Sequence, residues 1–297
     1  MRVVVTGAAG RLARVVLPRL CADPAVESVT GIDRARPAFS HPKFEPVVAD
    51  LAERAAHVHL PGADALANLA FVLMRGRQPL REMARGNVEG TKALLAAAQS
   101  AGIGSIVHLS SAAVYGHGIG LTEDAALAPL PRFQYALQKA QVDAWIAQAL
   151  PRVAILRPTV ILGPNAQPLL RRLAAAPCYL RLPDPQPRLQ CVHEDDVAQA
   201  VALALRLGAR GPFNLAAPGD FSLRELVRAR RPRAHGVPLA LAGVALRVAW
   251  QATGWGGEPG WLDGVALSLT LDCSRATAVL GWRPRHTRWQ EIAGVLE

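Results

Sequence analysis

The sequence predicts an α/β fold, a doubly wound parallel sheet followed by a smaller C-terminal region. Three observations predict it. Strand-like apolar runs alternate with helical stretches through the first half, and a glycine turn follows the first run at once. Beyond Pro158 the alternation gives way to short elements, with prolines crowding 164–187.

Arg2–Thr6 reads as a buried strand, and Arg11–Cys21 as a helix opening just past the glycine turn. Val26–Asp33 and Phe44–Ala49 are the next two strands, joined by a Pro/Ser/His loop, and Leu51–Val58 is a short helix. Ala63–Ala70 is a fourth strand and Gln78–Ala101 a long Ala-rich helix. Strand Ser105–Leu109, helix Arg132–Leu150 and strand Arg152–Leu156 complete the series. Strands separated by helices form βαβ units, whose crossovers make neighbouring strands parallel. No internal repeat is evident.

At 297 residues, 51% of them apolar, the chain is long enough to bury a large core. Its net charge is +10, yet lysine occurs only at 43, 92 and 139 while arginine is scattered over the whole length. A nucleic-acid binder clusters basic residues on one element among aromatics, so an Arg- and Ala-rich composition explains the charge and no nucleic-acid partner is expected. Met1-Arg2-Val3 runs straight into the first strand, which leaves no room for a signal peptide. The longest apolar stretch, Val237–Trp250, contains Arg247 and is shorter than the ~20 residues a bilayer requires. It reads as a core helix or a lid over a pocket, and no membrane partner is expected. Cys21, Cys178, Cys191 and Cys273 lie far apart without a Cys-x-x-Cys pair, so neither disulfides nor a metal site is expected, and a cytoplasmic location fits.

Thr6-Gly7-Ala8-Ala9-Gly10-Arg11-Leu12-Ala13 joins the first strand to the first helix. Gly7 can make the tight turn, and Gly10 lets the backbone approach a pyrophosphate lying at the positive end of the helix dipole. Ala13 stands where a third glycine would, and a structural turn explains the glycines about as well. Asp33 shifts the balance: it ends the next strand roughly 20 residues on, where a carboxylate accepts both ribose hydroxyls of a dinucleotide. That carboxylate repels a 2′-phosphate and favours NAD, although Arg34 and Arg36 could clamp such a phosphate, so NADP stays open. Asp50 could contact the adenine amino group or cap the helix after it.

Tyr135 and Lys139 are four residues apart, hence on one helix face. An ammonium there stabilises phenolate and is expected to lower the tyrosine pKa from about 10 towards working pH. Such a phenol exchanges a proton with a carbonyl or alcohol oxygen while hydride moves to or from a nicotinamide. Ser111, just past the fifth strand, can donate to the same oxygen or cap the following turn.

Together these residues resemble the extended short-chain dehydrogenase/reductase family, also called the NAD-dependent epimerase/dehydratase family, and within it UDP-glucose 4-epimerase-like members. The likeness runs through Asn68-Leu69-Ala70, Asn87-Val-Glu-Gly-Thr91, Ser110-Ser111-Ala-Ala-Val-Tyr-Gly116 and Leu156-Arg157-Pro158. It continues in Val192-His193-Glu194-Asp195-Asp196-Val197, Phe213-Asn214-Leu215 and Leu280-Gly281-Trp282-x-Pro284. The resemblance implies a Rossmann-like NAD(P)-binding domain over 1–162 and a substrate-binding region over 163–297 with elements returning to the main sheet. It implies Ser111, Tyr135 and Lys139 as the catalytic set, with Lys139 also reaching the nicotinamide ribose and Asn87 supporting the cofactor side. Ala70 and Phe71 would pass the cofactor's phosphates or nicotinamide ribose, and Arg11, Leu12, Leu51, Leu69 and Pro158 would line it. His193 is expected to be structural. The Ala-rich helices 78–101 and 132–150 would pair as a homodimer, though burial within one subunit explains their composition too.

The chain departs from the epimerases in its substrate half. Val160 stands near an expected asparagine, Leu189 holds the place of an arginine with Arg188 one step away, and no later arginine is evident around 255–271. The first functional reading is therefore hydride transfer at a secondary alcohol or carbonyl carbon of a small or hydrophobic molecule. Trp250, Trp255 and Trp261 would suit its pocket, with core packing as their default role. The second is a nucleotide-sugar epimerase retaining NAD, which shows no net NADH change. The third, a dinucleotide-sensing regulator, fits poorly with an intact Ser111, Tyr135 and Lys139.

Overall fold

A computed structural model describes residues 1–72, 80–167, 171, 176–253 and 260–294, the side chains of 249, 250 and 253 excepted. The first half runs β1 (Arg2–Thr6), α1 (Ala13–Ala22), β2 (Ser28–Asp33), β3 (Phe44–Val48), α2 (Arg54–His57), β4 (Ala65–Asn68) and α3 (Leu80–Ala84). A π-helical turn, Arg85–Gly90, leads into α4 (Thr91–Ser100). Then come β5 (Ser105–Leu109), β6 (Gly118–Leu121), α5 (Gln134–Ala149) and β7 (Ala154–Pro158).

The second half holds β8 (Val160–Leu162), β9 (Cys178–Arg181), β10 (Cys191–His193), α6 (Glu194–Leu207), β11 (Gly211–Leu215), α7 (Leu223–Arg230) and β12 (His235–Pro238). It closes with α8 (Leu239–Thr253), α9 (Gly260–Val265), β13 (Leu269–Leu271), α10 (Ser274–Leu280) and α11 (Trp289–Gly294).

The main sheet has seven parallel strands in the order β11-β7-β5-β4-β1-β2-β3. Successive strand residues face opposite sides, so both faces must be covered. Val3, Val5, Ala65, Ala67, Val107 and Leu156 pack with α1 and α6 on one face. Val4, Leu66, Ile106 and Ile155 pack with α4 and α5 on the other. The chain reverses its direction of travel across the sheet between β1 and β4, and the crevice at their C-terminal ends is where such sheets bind ligands.

The expected strands and helices of the first half are present, most with trimmed ends, while α1 and β7 run one and two residues past their expected C-termini. The single helix expected over 78–101 is instead α3, a π turn and α4, and Gln78 lies outside the described residues. The π turn carries Asn87 and brings Gly90 against Ala52, where an added Cβ would stand 3.3 Å from the Ala52 nitrogen. The stretch Val237–Trp250 is not a core helix: Leu241, Val244 and Val248 on α8 are 63%, 58% and 60% exposed. Trp255 lies outside the described residues, as does the Trp250 side chain, and Trp261 is half-buried in α9. Strand β11 returns to the main sheet beside β7. A smaller core of Leu162, Phe221 and Ile292 holds the rest of the C-terminal region.

Candidate active site

The glycine turn is built by backbone contact. Gly7 has φ +72°, and a Cβ there would lie 2.7 Å from both Cα and N of Ala70, at the end of β4. Gly7 and Ala8 donate to the Ile32 carbonyl at 3.0 and 3.3 Å, and Gly10 donates to the Gly7 carbonyl at 2.9 Å. Asp33 Oδ2 accepts the Ala9 N–H at 3.0 Å and Oδ1 the Ala35 N–H at 3.1 Å. Its carboxylate thus stands at the glycine turn, at the C-terminal end of β2. Arg34 and Arg36 are exposed. Asp50 accepts the Ala52 N–H at 2.9 Å in a local turn and does not cap α2, whose N-cap is Glu53. Leu12 is the residue before α1, and Ala13 is buried in the core. Arg11 reaches across to the Ala166 carbonyl at 3.4 Å. Leu51 and Leu69 pack at the edges of the two main cores, and Pro158 ends β7 opposite Leu215.

Behind the turn a buried polar chain crosses three strands. Thr6 Oγ1 donates to Asn68 Oδ1 at 2.6 Å, and Asn68 Nδ2 lies 3.1 Å from His108 Nδ1. Burial, with Lys139 nearby, pushes His108 well below the ordinary imidazole range, so its ring is neutral. Asn87 Oδ1 accepts the Val72 N–H at 2.7 Å, while its amide donates to the Val72 carbonyl at 2.9 Å and to Gln138 at 2.8 Å. It therefore ties the segment after β4 to α5 and sets Phe71 in place.

Ser111, Tyr135 and Lys139 converge at the C-terminal end of β5. The Ser111 hydroxyl is hydrogen-bonded to Tyr135 and also accepts the Ala113 N–H at 3.2 Å, so capping and site placement coexist. Lys139 is 2% exposed and donates to the Leu109 carbonyl, its Nζ lying 4.0 Å from the Phe71 ring centroid. Phe71 meets Tyr135 edge-to-face at 5.1 Å. One aromatic ring thus touches both members of the pair.

The electrostatics differ from expectation. Burial raises the Tyr135 pKa above its ordinary value, with the Ser111 hydrogen bond working against it and the Asp143 charge adding to it. Lys139 does not lower it, because burial pushes Lys139 itself down to about 7, against the pull of Asp143. A lysine that titrates near 7 is already neutral over the alkaline range in which the phenol ionises.

Asp143 is the residue that sequence reasoning missed. It lies one further turn along α5 from Lys139, fully buried, and accepts from Arg157 Nε on β7 at 2.9 Å. Arg157 donates to the Tyr115 hydroxyl at 2.8 Å, which donates to Asn214 Oδ1 on β11 at 2.8 Å. The i, i+4, i+8 spacing of Tyr135, Lys139 and Asp143 was the available signal.

The glycine turn, Asp33 and the Ser111–Tyr135–Lys139 cluster all lie within residues 3–216, which match the model of the NAD dependent epimerase/dehydratase family. The chain belongs to this family. The family is NAD-dependent, and the residues here fit that cofactor: the glycine turn packs backbone to backbone on Ala70, with the Asp33 carboxylate beside it.

An uncharacterized protein of Mycobacterium tuberculosis is 32% identical over 232 residues, covering 77% of this chain and 23% of its own length. The chain therefore spans about a quarter of that relative. A 4-hydroxy-2-methyl-3-oxo-4-farnesyl-3,4-dihydroquinoline-1-oxide ketoreductase of Stigmatella aurantiaca is 31% identical over 184 residues, 59% of this chain and 55% of its own. Among solved structures, MoeE5 in complex with UDP-glucose and NAD shares the fold at TM-score 0.76 and 23% identity, covering 100% of this chain and 97% of its own. The dTDP-glucose 4,6-dehydratase DesIV of Streptomyces venezuelae does so at 0.74 and 23%, covering 100% and 96%.

Against this family background the substrate half is distinctive. Arg188, one step from the place where an arginine is expected, is committed to Asp220 at 2.6 Å and Glu225 at 2.9 Å. Leu189 bridges Phe221 and Leu269 through its backbone. His193 caps α6, its Nδ1 accepting the Asp195 N–H at 3.2 Å, and its ring stacks on His286 at 3.7 Å. His193, Asp195 and His286 bring ligating atoms within 4.8 Å of one another, but His193 Nδ1 already accepts that N–H, and His286 Nδ1 lies 3.1 Å from Asp196.

Proposed function

We propose that the chain transfers hydride between NAD(H) and a secondary alcohol or carbonyl carbon of a small or hydrophobic molecule, with Tyr135 as the acid/base. The observation that carries this reading is the Ser111–Tyr135 hydrogen bond at the C-terminal end of β5, with Lys139 one helical turn away. Bound NADH supplies the hydride. Tyr135, kept protonated by its surroundings, gives its proton to the carbonyl oxygen, and Ser111 donates to the same oxygen as negative charge develops there. Lys139, which shares the Phe71 ring with the phenol, would hold the nicotinamide ribose. Run in reverse, Tyr135 accepts the proton of an alcohol.

A nucleotide-sugar epimerase would need cationic groups for a diphosphate, and Arg188 is already held by two carboxylates. The ketoreductase relative favours simple reduction over epimerisation. The test is NADH turnover across a panel of ketones, with Tyr135→Phe beside the unchanged chain. We expect kcat to fall on the order of 10²–10⁴-fold while NAD still binds by calorimetry. Unchanged turnover in Tyr135→Phe would sink the assignment. Interconversion of UDP-hexoses without net NADH change would restore the epimerase.

A further inference from the structure

Helix α8 turns its apolar side outward. Leu241, Val244 and Val248 are 63%, 58% and 60% exposed, and Ala245 and Ala252 beside them are exposed too. At about 100° per residue these positions fall within one sector roughly 100° wide. Exposed Arg247 and Gln251 flank it on one edge. Single exposed aliphatics are ordinary on a protein surface, whereas a continuous helical stripe of them marks a contact.

The charge around the stripe is of one sign. From Leu226 to Gly257 there is no Asp or Glu, while arginine stands at 228, 230, 231, 233 and 247. Arg228, Arg231 and Arg233 are exposed and lie just before β12, the strand that feeds directly into α8. Arg181 on β9 is exposed and pairs in register with Pro238, the residue before the helix, its guanidinium donating to the Gly236 carbonyl at 2.9 Å. Arg228 lies over the Tyr179 ring of the same strand at 5.2 Å. Arg181 and Arg228 thus stand beside the strand at the base of an outward-facing apolar helix, with Arg231 and Arg233 at that strand's other end. Arg224, paired with Asp184 at 3.5 Å, does not belong to this group.

We propose that α8 and these arginines dock the protein on an anionic lipid bilayer, the helix lying in the plane of the interface. Leu241, Val244 and Val248 enter the acyl boundary and the arginines meet headgroup phosphates. Among the described residues no helix is long and apolar enough to cross a membrane, and lying on one requires no crossing. Among the described side chains the stripe is aliphatic, without the aromatic anchors that dominate protein–protein contacts. A second copy would bring the same arginines and no carboxylates from this segment to meet them.

Co-sedimentation of the whole chain with vesicles tests this, using phosphatidylcholine alone against an equimolar mixture with phosphatidylglycerol. We expect sedimentation with the anionic vesicles only, weakening as salt is raised. Leu241→Asp with Val248→Asp abolishes it while the far-UV spectrum and thermal midpoint hold. Arg231→Gln and Arg233→Gln, which leave the helix untouched, each weaken partitioning by about fivefold. Absence of sedimentation, or equal binding to both vesicles, overturns the proposal. So does a change of molecular mass on Leu241→Asp in sedimentation velocity, which would make the stripe a contact between copies.

Discussion

Lys139 shows how burial and charge compete at a single residue. Its side chain is enclosed by the Leu109 carbonyl, the Phe71 ring and Asp143, and desolvation outweighs the opposing carboxylate, so its pKa falls from 10.5 to about 7. Between those two values the unfolded chain holds a proton that the folded chain has released. Stability therefore rises with pH across that window, and the penalty for burying the ammonium is fully present below it. Lys139→Met removes the titration. Its stability relative to the unchanged protein should decline steadily as pH rises from about 7 to 10.5, as followed by urea unfolding. A constant difference over that range would show that Lys139 is not titrating there. Tyr135 and Lys139 were legible as a pair from their spacing. The direction of the Tyr135 shift was not, because it depends on Asp143 and on enclosure by Phe71, both set by the packing of α5 against the segment after β4.

At the scale of elements, the β1–turn–α1 unit was readable because its rules are local: an apolar run, glycines, then a helix. What the sequence did not disclose is that Gly7 is required by a neighbour far along the chain, the Ala70 backbone. Gly102, between α4 and β5, separates the two demands on a glycine. It has φ +75° with nothing within 4 Å of an added Cβ, whereas Gly7 has φ +72° and backbone at 2.7 Å. Gly102→Ala should cost about 1–2 kcal/mol, the strain of a left-handed alanine. Gly7→Ala should cost clearly more in urea unfolding and erase the rise in thermal midpoint that NAD confers. Equal costs at the two sites would mean that the Gly7–Ala70 approach gives way easily. The same locality explains the misreadings. The interruption of the helix over 78–101 by a π turn follows from the packing of Gly90 on Ala52 and the bridging by Asn87. The parallel pairs β8–β10 and β9–β12 join segments whose partners no local pattern names.

Across the whole molecule, the main core spans the boundary drawn at 162. Strand β11 pairs with β7 in the main sheet, burying Phe213 and Leu215, so the edge of the N-terminal sheet comes from the C-terminal region. Helix α6 covers one face of that sheet, with Val197 and Val201 in the same cluster as Val3, Val5 and Leu17. Trp282, fully buried in that cluster, donates to the Asp196 carbonyl at 2.9 Å, and the Asp196 carboxylate accepts from Arg285 and His286 at 2.8 and 3.1 Å. Residues 1–162 alone would expose the part of the sheet that α6 covers along with the β7 edge, and the Arg157–Tyr115 network would lose Asn214. We therefore expect the fragment 1–162 to show no cooperative urea transition. The whole chain should unfold in a single step, with coincident far-UV and tryptophan-fluorescence curves. Asp196→Ala, which unpins the segment after α10 without touching the glycine turn, should shift that single transition rather than split it. A fragment 1–162 that unfolds cooperatively and binds NAD would show instead that the N-terminal sheet stands alone, and that β11 and α6 are additions to it.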